Sequence, residues 1–171
     1  MPPEPMPSGP PWSGPGQWPQ ANQALLILAD NPASSPARAL ARQLAAARRA
    51  LAPAMERLCA ATCPRCLDPC CVRARLWWGF ADLAFLHLAE LPLPLSQMAY
   101  APGRACPHLG SHGCRLERPL RPWVCDWHLC PEQKARLAQW GEGERRELAD
   151  GLERARGLRR KMVEALVEGV G

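Results

Sequence analysis

Cysteine is concentrated in the middle of the chain, and this feature constrains the fold more than any other. All nine cysteines of the 171 residues lie between residues 59 and 130, and eight of them form two tight groups. A two-residue gap between cysteines lets two sulfurs reach one metal ion without straining the backbone. We therefore predict a metal-binding protein. Its predicted ligands are Cys63, Cys66, Cys70 and Cys71 of the first group and Cys106, Cys114, Cys125 and Cys130 of the second.

The first group combines a chelating turn with a pair of adjacent cysteines. Cys63-Pro-Arg-Cys66 is a CxxC turn whose two sulfurs can bind one ion, and the βαβ pattern typical of redox-active CxxC turns is missing. The side chains of Cys70 and Cys71 are expected to diverge. Either one ligates while the other packs or binds a second centre, or the site holds more than one metal atom. Eight thiolates match two four-cysteine zinc sites, or a polynuclear iron or iron–sulfur centre, so the predicted cofactor is zinc or iron.

Other metal-binding side chains lie close to these cysteines. His108, His112 and His128 are interleaved with the second group, and imidazole can replace a thiolate on borderline ions. We interpret all three as surface residues or as neighbours of ligands. Cys59 lies on the apolar side of a predicted helix, and we interpret it as a small core residue.

The sequence predicts a cytoplasmic protein with no membrane span. The start of the chain lacks the basic and apolar regions of a secretory signal. The apolar segment 76–91 is interrupted by Asp82, His87 and Glu90, so it does not predict a bilayer-spanning helix. In a reducing compartment, clustered cysteines are more often ligands than disulfides. A disulfide scaffold is the alternative, although the odd number of cysteines disfavours it.

The net charge of +5 does not indicate a nucleic-acid partner, because the excess is spread along the chain. Residues 1–62 carry 5 basic and 3 acidic side chains, residues 63–130 carry 7 and 5, and residues 131–171 carry 9 and 8. Nucleic-acid binding needs a concentrated basic face that displaces counterions. No nucleic-acid partner is therefore expected. The expected partner is the metal ion that the cysteines would bind.

Composition divides the chain into four segments of one mainly α domain. These are a disordered Pro/Gly-rich tail (1–21), an N-terminal helical segment (22–62), the cysteine-cluster metal-binding region (63–130) and a C-terminal helix or helix pair (131–171). We expect irregular cysteine-rich loops that the metal holds together, with little or no β-structure. Trp12 and Trp18 are the tail residues that could pin it to the body.

Apolar periodicity predicts the individual helices. A short helix is expected over 22–29. A second helix is expected to begin at Ser35-Pro36 and to be kinked or divided by Pro53, and a third is expected over 79–91. Residues 72–76 alternate and permit an extended segment. The C-terminal segment predicts one helix, or two with a break at 141–143. Its apolar stripe is interpreted as core, with a protein partner on this helix as the alternative.

Taken in sequence order, the cysteine motifs resemble those of the YkgJ-type cysteine-cluster family of zinc- or iron-chelating domain proteins. The elements that carry the resemblance are the 63–71 cysteine run, Cys106-Pro107-His108-Leu109, Gly113-Cys114, and Arg121-Pro122-Trp123-Val124-Cys125 followed by Cys130. The resemblance covers about residues 58–132. It implies a metal-chelating module whose biochemical role is unassigned.

The leading hypothesis is a small metal-binding protein without catalytic activity. Arg121 and Pro122 are expected to set the approach of Cys125, through charge-assisted hydrogen bonding and turn rigidity. The alternatives are a redox or metal-dependent enzyme, or a protein that stores or delivers metal. A catalytic centre would need a nearby carboxylate, and Asp68 and Asp126 flank predicted ligands. Acidic residues in such loops are usually solvated, which favours the non-catalytic hypothesis.

Overall fold

The computed structural model describes residues 9–67, 69–73, 76–98, 105–111 and 113–170, and it confirms a mainly helical fold. Three short 3-10 turns accompany the regular elements, at Pro32–Ser34, Cys63–Arg65 and Arg118–Leu120. The helices are α1 (Gln17–Asp30), α2 (Ser35–Thr62), α3 (Cys70–Arg73), α4 (Phe80–Leu88), α5 (Val124–Trp127), α6 (Pro131–Leu137) and α7 (Glu142–Val170), and the strands are β1 (Leu109–Gly110) and β2 (Gly113–Cys114).

Helices α2 and α7 form an antiparallel pair at the centre of the molecule. Buried apolar residues recur at three- and four-residue intervals in α2, and in α7 they recur at intervals of seven and four, so each helix turns one stripe inward. The close approaches of Gly151 to Leu51 and of Gly169 to Ala33 set the antiparallel direction. The buried stripe residues of α7 are Leu148, Ala155, Met162 and Leu166, which confirms the interpretation of the C-terminal stripe as core.

Tryptophans anchor the N-terminal segment to Trp78 and to the segment that follows α4. The rings of Trp12 and Trp18 lie 6.3 Å apart, and that of Trp18 lies 6.2 Å from Trp78, which is fully buried. Trp18 Nε1 also donates a hydrogen bond to the Pro94 carbonyl at 3.2 Å. Both tail tryptophans therefore anchor the segment, as their position suggested. Residues 1–8 of the predicted tail lie outside the described residues.

Helix α1 begins at Gln17, five residues before the predicted start. Pro19 lies in its first turn, where the missing backbone N–H would have no helical partner in any case. Proline content therefore marked the wrong boundary. Helix α2 begins at Ser35-Pro36, as predicted, but the residue at the cap position is Ser34, whose hydroxyl donates to the Leu28 carbonyl at 2.6 Å and not to the helix.

Two other local predictions differ from the structure. Helix α2 runs through Pro53 to Thr62 as one helix, so the division into two helices is wrong. Val72 belongs to helix α3 and not to an extended segment, while residues 74–75 lie outside the described residues. The predicted helix over 79–91 is confirmed as α4, and the C-terminal segment is a helix pair with its break at residues 138–141.

A buried ion pair joins α2 to the segment that carries the last cysteines. Arg48 Nε lies 2.5 Å from Asp126 Oδ2, and both side chains are almost fully buried. The guanidinium also donates to the carbonyls of Pro119, Arg118 and Arg121 at 2.7–3.0 Å. Arg48 thereby fixes the loop between the hairpin and α5 against the core. Among the described residues, no helix has the length and apolar character needed to cross a membrane.

Candidate metal centre

All nine cysteines line one cavity of about 350 Å³. Its walls are the C-terminal end of α2, helix α3, the β1–β2 hairpin and the segment from α5 to the start of α6. Each cysteine is a free thiol, so none of the sulfurs is paired in a disulfide. The fold therefore brings the eight predicted ligands from both groups to the same cavity, together with Cys59.

The sulfurs surround this cavity without converging on a single point. Among the described residues, which include all nine cysteines, no three Cys, His, Asp or Glu side chains form a group arranged to hold a metal ion. The donor set nevertheless fits the implied metal, because thiolates are ligands that zinc and iron–sulfur centres prefer. An ion bound here would require side-chain movement toward it.

A 3-10 turn at the end of helix α2 places Cys63 and Cys66 at the cavity. After Thr62 the chain tightens into the 3-10 turn Cys63–Arg65, and the Cys66 N–H donates to the Cys63 carbonyl at 3.2 Å. Cys59 lies one turn earlier on the same helix face and donates a side-chain hydrogen bond to Cys63. This bond raises the pKa of Cys59 and lowers the pKa of Cys63 to about 7.

The adjacent cysteines Cys70 and Cys71 open helix α3. Their side chains share a hydrogen bond, which lowers the pKa of Cys70 to about 6 and raises the pKa of Cys71. Beyond this contact their surroundings differ. Cys70 lies in the electrostatic field of His128, and Cys71 in that of Cys106 and Cys125.

A backbone hydrogen bond joins the two cysteine groups. The Cys106 N–H donates to the Cys71 carbonyl at 2.7 Å. From there the chain enters the hairpin, in which Leu109 pairs with Cys114. Gly113 has φ +116°, a conformation that residues with a Cβ rarely adopt, and it turns the chain directly before Cys114. Burial raises the pKa of the Cys114 thiol.

Helices α5 and α6 supply the last two sulfurs. Cys125 lies within α5, and burial raises its pKa to about 12. Cys130 caps α6, where its sulfur accepts from the Gln133 N–H at 3.4 Å while Gln133 Oε1 accepts from the Cys130 N–H at 3.2 Å. The Gln133 amide also donates to the Cys59 sulfur at 3.5 Å.

The expected roles of Arg121 and Asp126 need correction. Arg121 Nε donates to the Leu116 carbonyl at 2.9 Å, and its Nη2 lies 2.8 Å from Glu56 Oε1 and 3.5 Å from the Cys114 carbonyl. Its guanidinium therefore joins β2 and the residues that follow it to α2. The Cys125 carbonyl instead receives an Arg118 hydrogen bond, at 3.4 Å. Asp126 is fully buried between Arg48 and Arg118 and is not solvated as expected. Asp68 lies outside the described residues.

The histidines occupy different positions around the cavity. His108 is half-buried, lines the cavity and packs edge-on against Trp78, with the two ring centroids 5.9 Å apart. Burial lowers the pKa of His108. His128 is exposed and lines the cavity rim, which agrees with its interpretation as a surface residue next to ligands. His112 lies outside the described residues.

Sequence reasoning missed two contributors to the site. Cys59 lies at the cavity wall and not in the core, and its four-residue spacing from Cys63 was the signal that both share one helix face. Gln133 is buried and contacts two of the sulfurs. Its position three residues after a helix cap was visible in the sequence.

No family model, curated protein or solved structure matches this chain. The resemblance to the YkgJ-type cysteine-cluster family therefore depends on the order and spacing of the cysteine motifs alone.

Proposed function

We propose that this protein binds zinc or iron through its cysteine cluster, with an iron–sulfur cluster as the alternative form of the iron site. The observation that supports this proposal is the meeting of both cysteine groups, as free thiols, at one cavity. The proposed ligands are Cys63, Cys66, Cys70, Cys71, Cys106, Cys114, Cys125 and Cys130. The order of the cysteine motifs, which resembles that of YkgJ-type metal-chelating domains, supports the same function.

The carboxylate next to Cys125 is not placed to serve as the base of a catalytic metal centre. A hydrolytic metal centre uses a free carboxylate or a comparable base near the ion. Asp126, next to the proposed ligand Cys125, does not line the cavity, and Arg48 and Arg118 hold it by ion pairs of 2.5 and 3.0 Å. In that position both oxygens of Asp126 accept from arginine and the side chain is fully buried, so it is not accessible to a reacting water in the cavity. Among the described residues that line the cavity, the carboxylate residue is Glu132, which is exposed on α6. The bound metal would connect the end of α2 to the hairpin and to α6.

The proposal is tested by measuring metal content and free thiols on protein purified without oxygen. Stoichiometric zinc in a colourless protein, or iron with a broad absorbance band at about 400 nm, supports metal binding and distinguishes a zinc site from an iron–sulfur cluster. Protein with nine reactive thiols and no bound metal, which also takes up none when zinc or iron is added, would contradict it.

A matched pair of variants connects any bound metal to the cavity. Cys106→Ser removes a buried sulfur that lines the cavity, whereas Ala61→Ser adds the same hydroxyl at an exposed position nearby. We expect weaker metal retention only in Cys106→Ser. Equal retention in both variants would mean that the metal lies elsewhere. Loss of metal to a chelator without unfolding would favour delivery of the metal over a structural role.

A further inference from the structure

The adjacent cysteines Cys70 and Cys71 belong to different sulfur neighbourhoods. Cys70 interacts electrostatically with Cys63 and His128 on one side of the cavity. Cys71 interacts with Cys106 and Cys125, and its carbonyl accepts the 2.7 Å hydrogen bond from the Cys106 backbone. Successive residues of a helix point about 100° apart, which explains how neighbours in sequence meet different partners.

The second neighbourhood contains four sulfurs. Cys106, Cys114 and Cys125 are electrostatic neighbours of one another, and Cys71 joins them through Cys106 and Cys125. Two arginines hold the backbone at these residues, because Arg118 donates to the Cys125 carbonyl in α5 and Arg121 to the Cys114 carbonyl in the hairpin. A set of four thiols matches the number that a tetrahedral metal ion binds.

The first neighbourhood includes Cys59, which the proposed function does not use. Its side chain shares a hydrogen bond with Cys63, and Cys63 lies in the electrostatic field of Cys130. Gln133 links the same residues, because it donates from its amide to the Cys59 sulfur at 3.5 Å and from its backbone to the Cys130 sulfur at 3.4 Å. Hydrogen bonds of this kind orient metal ligands.

The spacing of Cys59 and Cys63 suits chelation. Side chains four residues apart lie on the same face of a helix, and paired ligands at this spacing bind one ion in other helical metal sites. Cys59 is half-buried at the wall of the cavity and not enclosed in the core. Its sulfur can therefore reach an ion in the cavity by a change of side-chain rotamer.

We propose that the cavity holds two adjacent metal centres, with Cys59, Cys63, Cys70 and Cys130 on the first and Cys71, Cys106, Cys114 and Cys125 on the second. This assignment rests on the proposed metal-binding function and refines it, since it makes Cys59 a ligand in place of Cys66 and divides the Cys70–Cys71 pair. Cys66 also lines the cavity and is the thiol that this assignment leaves unligated.

The assignment is tested by titrating metal-free, reduced protein with ¹¹³Cd²⁺ and recording the ¹¹³Cd NMR spectrum. The intact chain should bind two equivalents and show two resonances of thiolate-bound cadmium. Cys59→Ser should lose one equivalent and one resonance, and Cys114→Ser should lose the other. Ala60→Ser, an exposed neighbour of Cys59, should keep both.

Several results would overturn the assignment, and they differ from a failure of the proposed function. One equivalent in the intact chain, or loss of both resonances in either cysteine variant, would indicate one shared centre. Two unchanged resonances in Cys59→Ser, with loss of one in Cys66→Ser, would replace Cys59 by Cys66. No binding of cadmium by the intact chain would remove the metal-binding proposal as well. The spectrum of the intact chain decides between one and two centres even if a variant does not fold.

Discussion

Arg48 is a charged residue in the hydrophobic core, with only 2% of its surface exposed. Desolvation lowers its pKa, and the neighbouring Asp126 carboxylate opposes this effect. Its planar donors also bind three backbone carbonyls of the loop that precedes α5. The residue is therefore a polar centre that holds the cysteine-bearing segment against α2.

Replacement of Arg48 by Ala should destabilise the fold strongly. It leaves the buried Asp126 with one fewer cation, and removal of one partner from a buried ion pair costs about 3–5 kcal/mol. Arg49→Ala is the matched control, because that neighbouring side chain is exposed and its removal should change the free energy of unfolding by less than about 0.5 kcal/mol. Denaturant unfolding measures both values. Similar losses in the two variants would contradict the role given to Arg48.

His87 should make stability depend on pH. Burial lowers its pKa although Asp30 acts in the opposite direction, and its Nε2 lies 3.0 Å from the Asn22 side-chain oxygen. The folded state therefore prefers the neutral ring, so the unfolded state binds the extra proton as the pH falls through about 6.5. The contribution of His87 to stability is present above that pH and is lost as the pH falls toward the lower folded-state pKa.

The measurement compares the free energy of unfolding of the intact chain and His87→Gln between about pH 5 and 7.5, a range that includes the usual histidine pKa. The advantage of the intact chain over the variant should grow as the pH rises. Parallel curves for the two proteins would mean that His87 titrates equally in the folded and unfolded states.

At the scale of elements, α7 and α2 stabilise the fold through a long antiparallel contact. Glycines in α7 permit some of its closest approaches. A Cβ at Gly169 would lie 2.8 Å from the Ala33 carbonyl oxygen, whereas a Cβ at Gly157 would meet nothing within 4 Å. Close packing therefore requires glycine at position 169, whereas no neighbouring atom requires it at position 157.

These two glycines give opposite expected outcomes on substitution by alanine. Gly157→Ala should raise the free energy of unfolding by up to about 1 kcal/mol, because alanine loses less backbone entropy in a helix. Gly169→Ala should lower it, since the new Cβ forces the end of α7 away from Ala33. Thermal unfolding of both variants checks the signs. A stabilised Gly169→Ala would show that α7 does not approach residue 33 this closely.

Periodicity in the sequence was sufficient for the helices that supply the core. The stripes of α2 and α7, the position of α4 and the near absence of strands followed from apolar spacing and from the proline, glycine and cysteine content of the loops. The boundary at Gln17 was missed because proline is tolerated in a first helical turn.

The candidate site was predictable in composition but not in its supporting contacts. Cysteine spacing identified the residues that line the cavity, apart from the role of Cys59. The partners of Arg48 are 70 or more residues away in sequence, so no local pattern indicates them. The same holds for the contact between Gln133 and Cys59.

At the scale of the whole molecule, the cysteine region and the helical core have different sources of stability. The core of α2, α4 and α7 buries its own apolar residues, whereas the described part of residues 105–130 contains two strands of two residues, the 3-10 turn Arg118–Leu120 and one α-helix of four residues. Thiolate binding of a metal is coupled to local folding. The metal should therefore stabilise the cysteine region more than the core.

Removal of the metal should expose this difference in amide hydrogen exchange. We expect faster exchange in residues 63–73 and 105–130 after chelation under reducing conditions, with slow exchange kept along the buried stripe of α7. Equal loss of protection in both regions would mean that metal binding and core folding are one transition. Unchanged exchange throughout would mean that the metal does not support the cysteine region.

X-ray absorption at the metal edge of protein purified without oxygen tests directly whether cysteines of both groups share a metal centre. We expect a first shell of about four sulfur neighbours per metal, at about 2.3 Å for zinc. Cys71→Ser and Cys106→Ser should each reduce the sulfur number, because one residue comes from each cysteine group. A first shell of nitrogen and oxygen atoms alone, or a sulfur shell that changes only with residues of one group, would contradict a centre shared by the two groups.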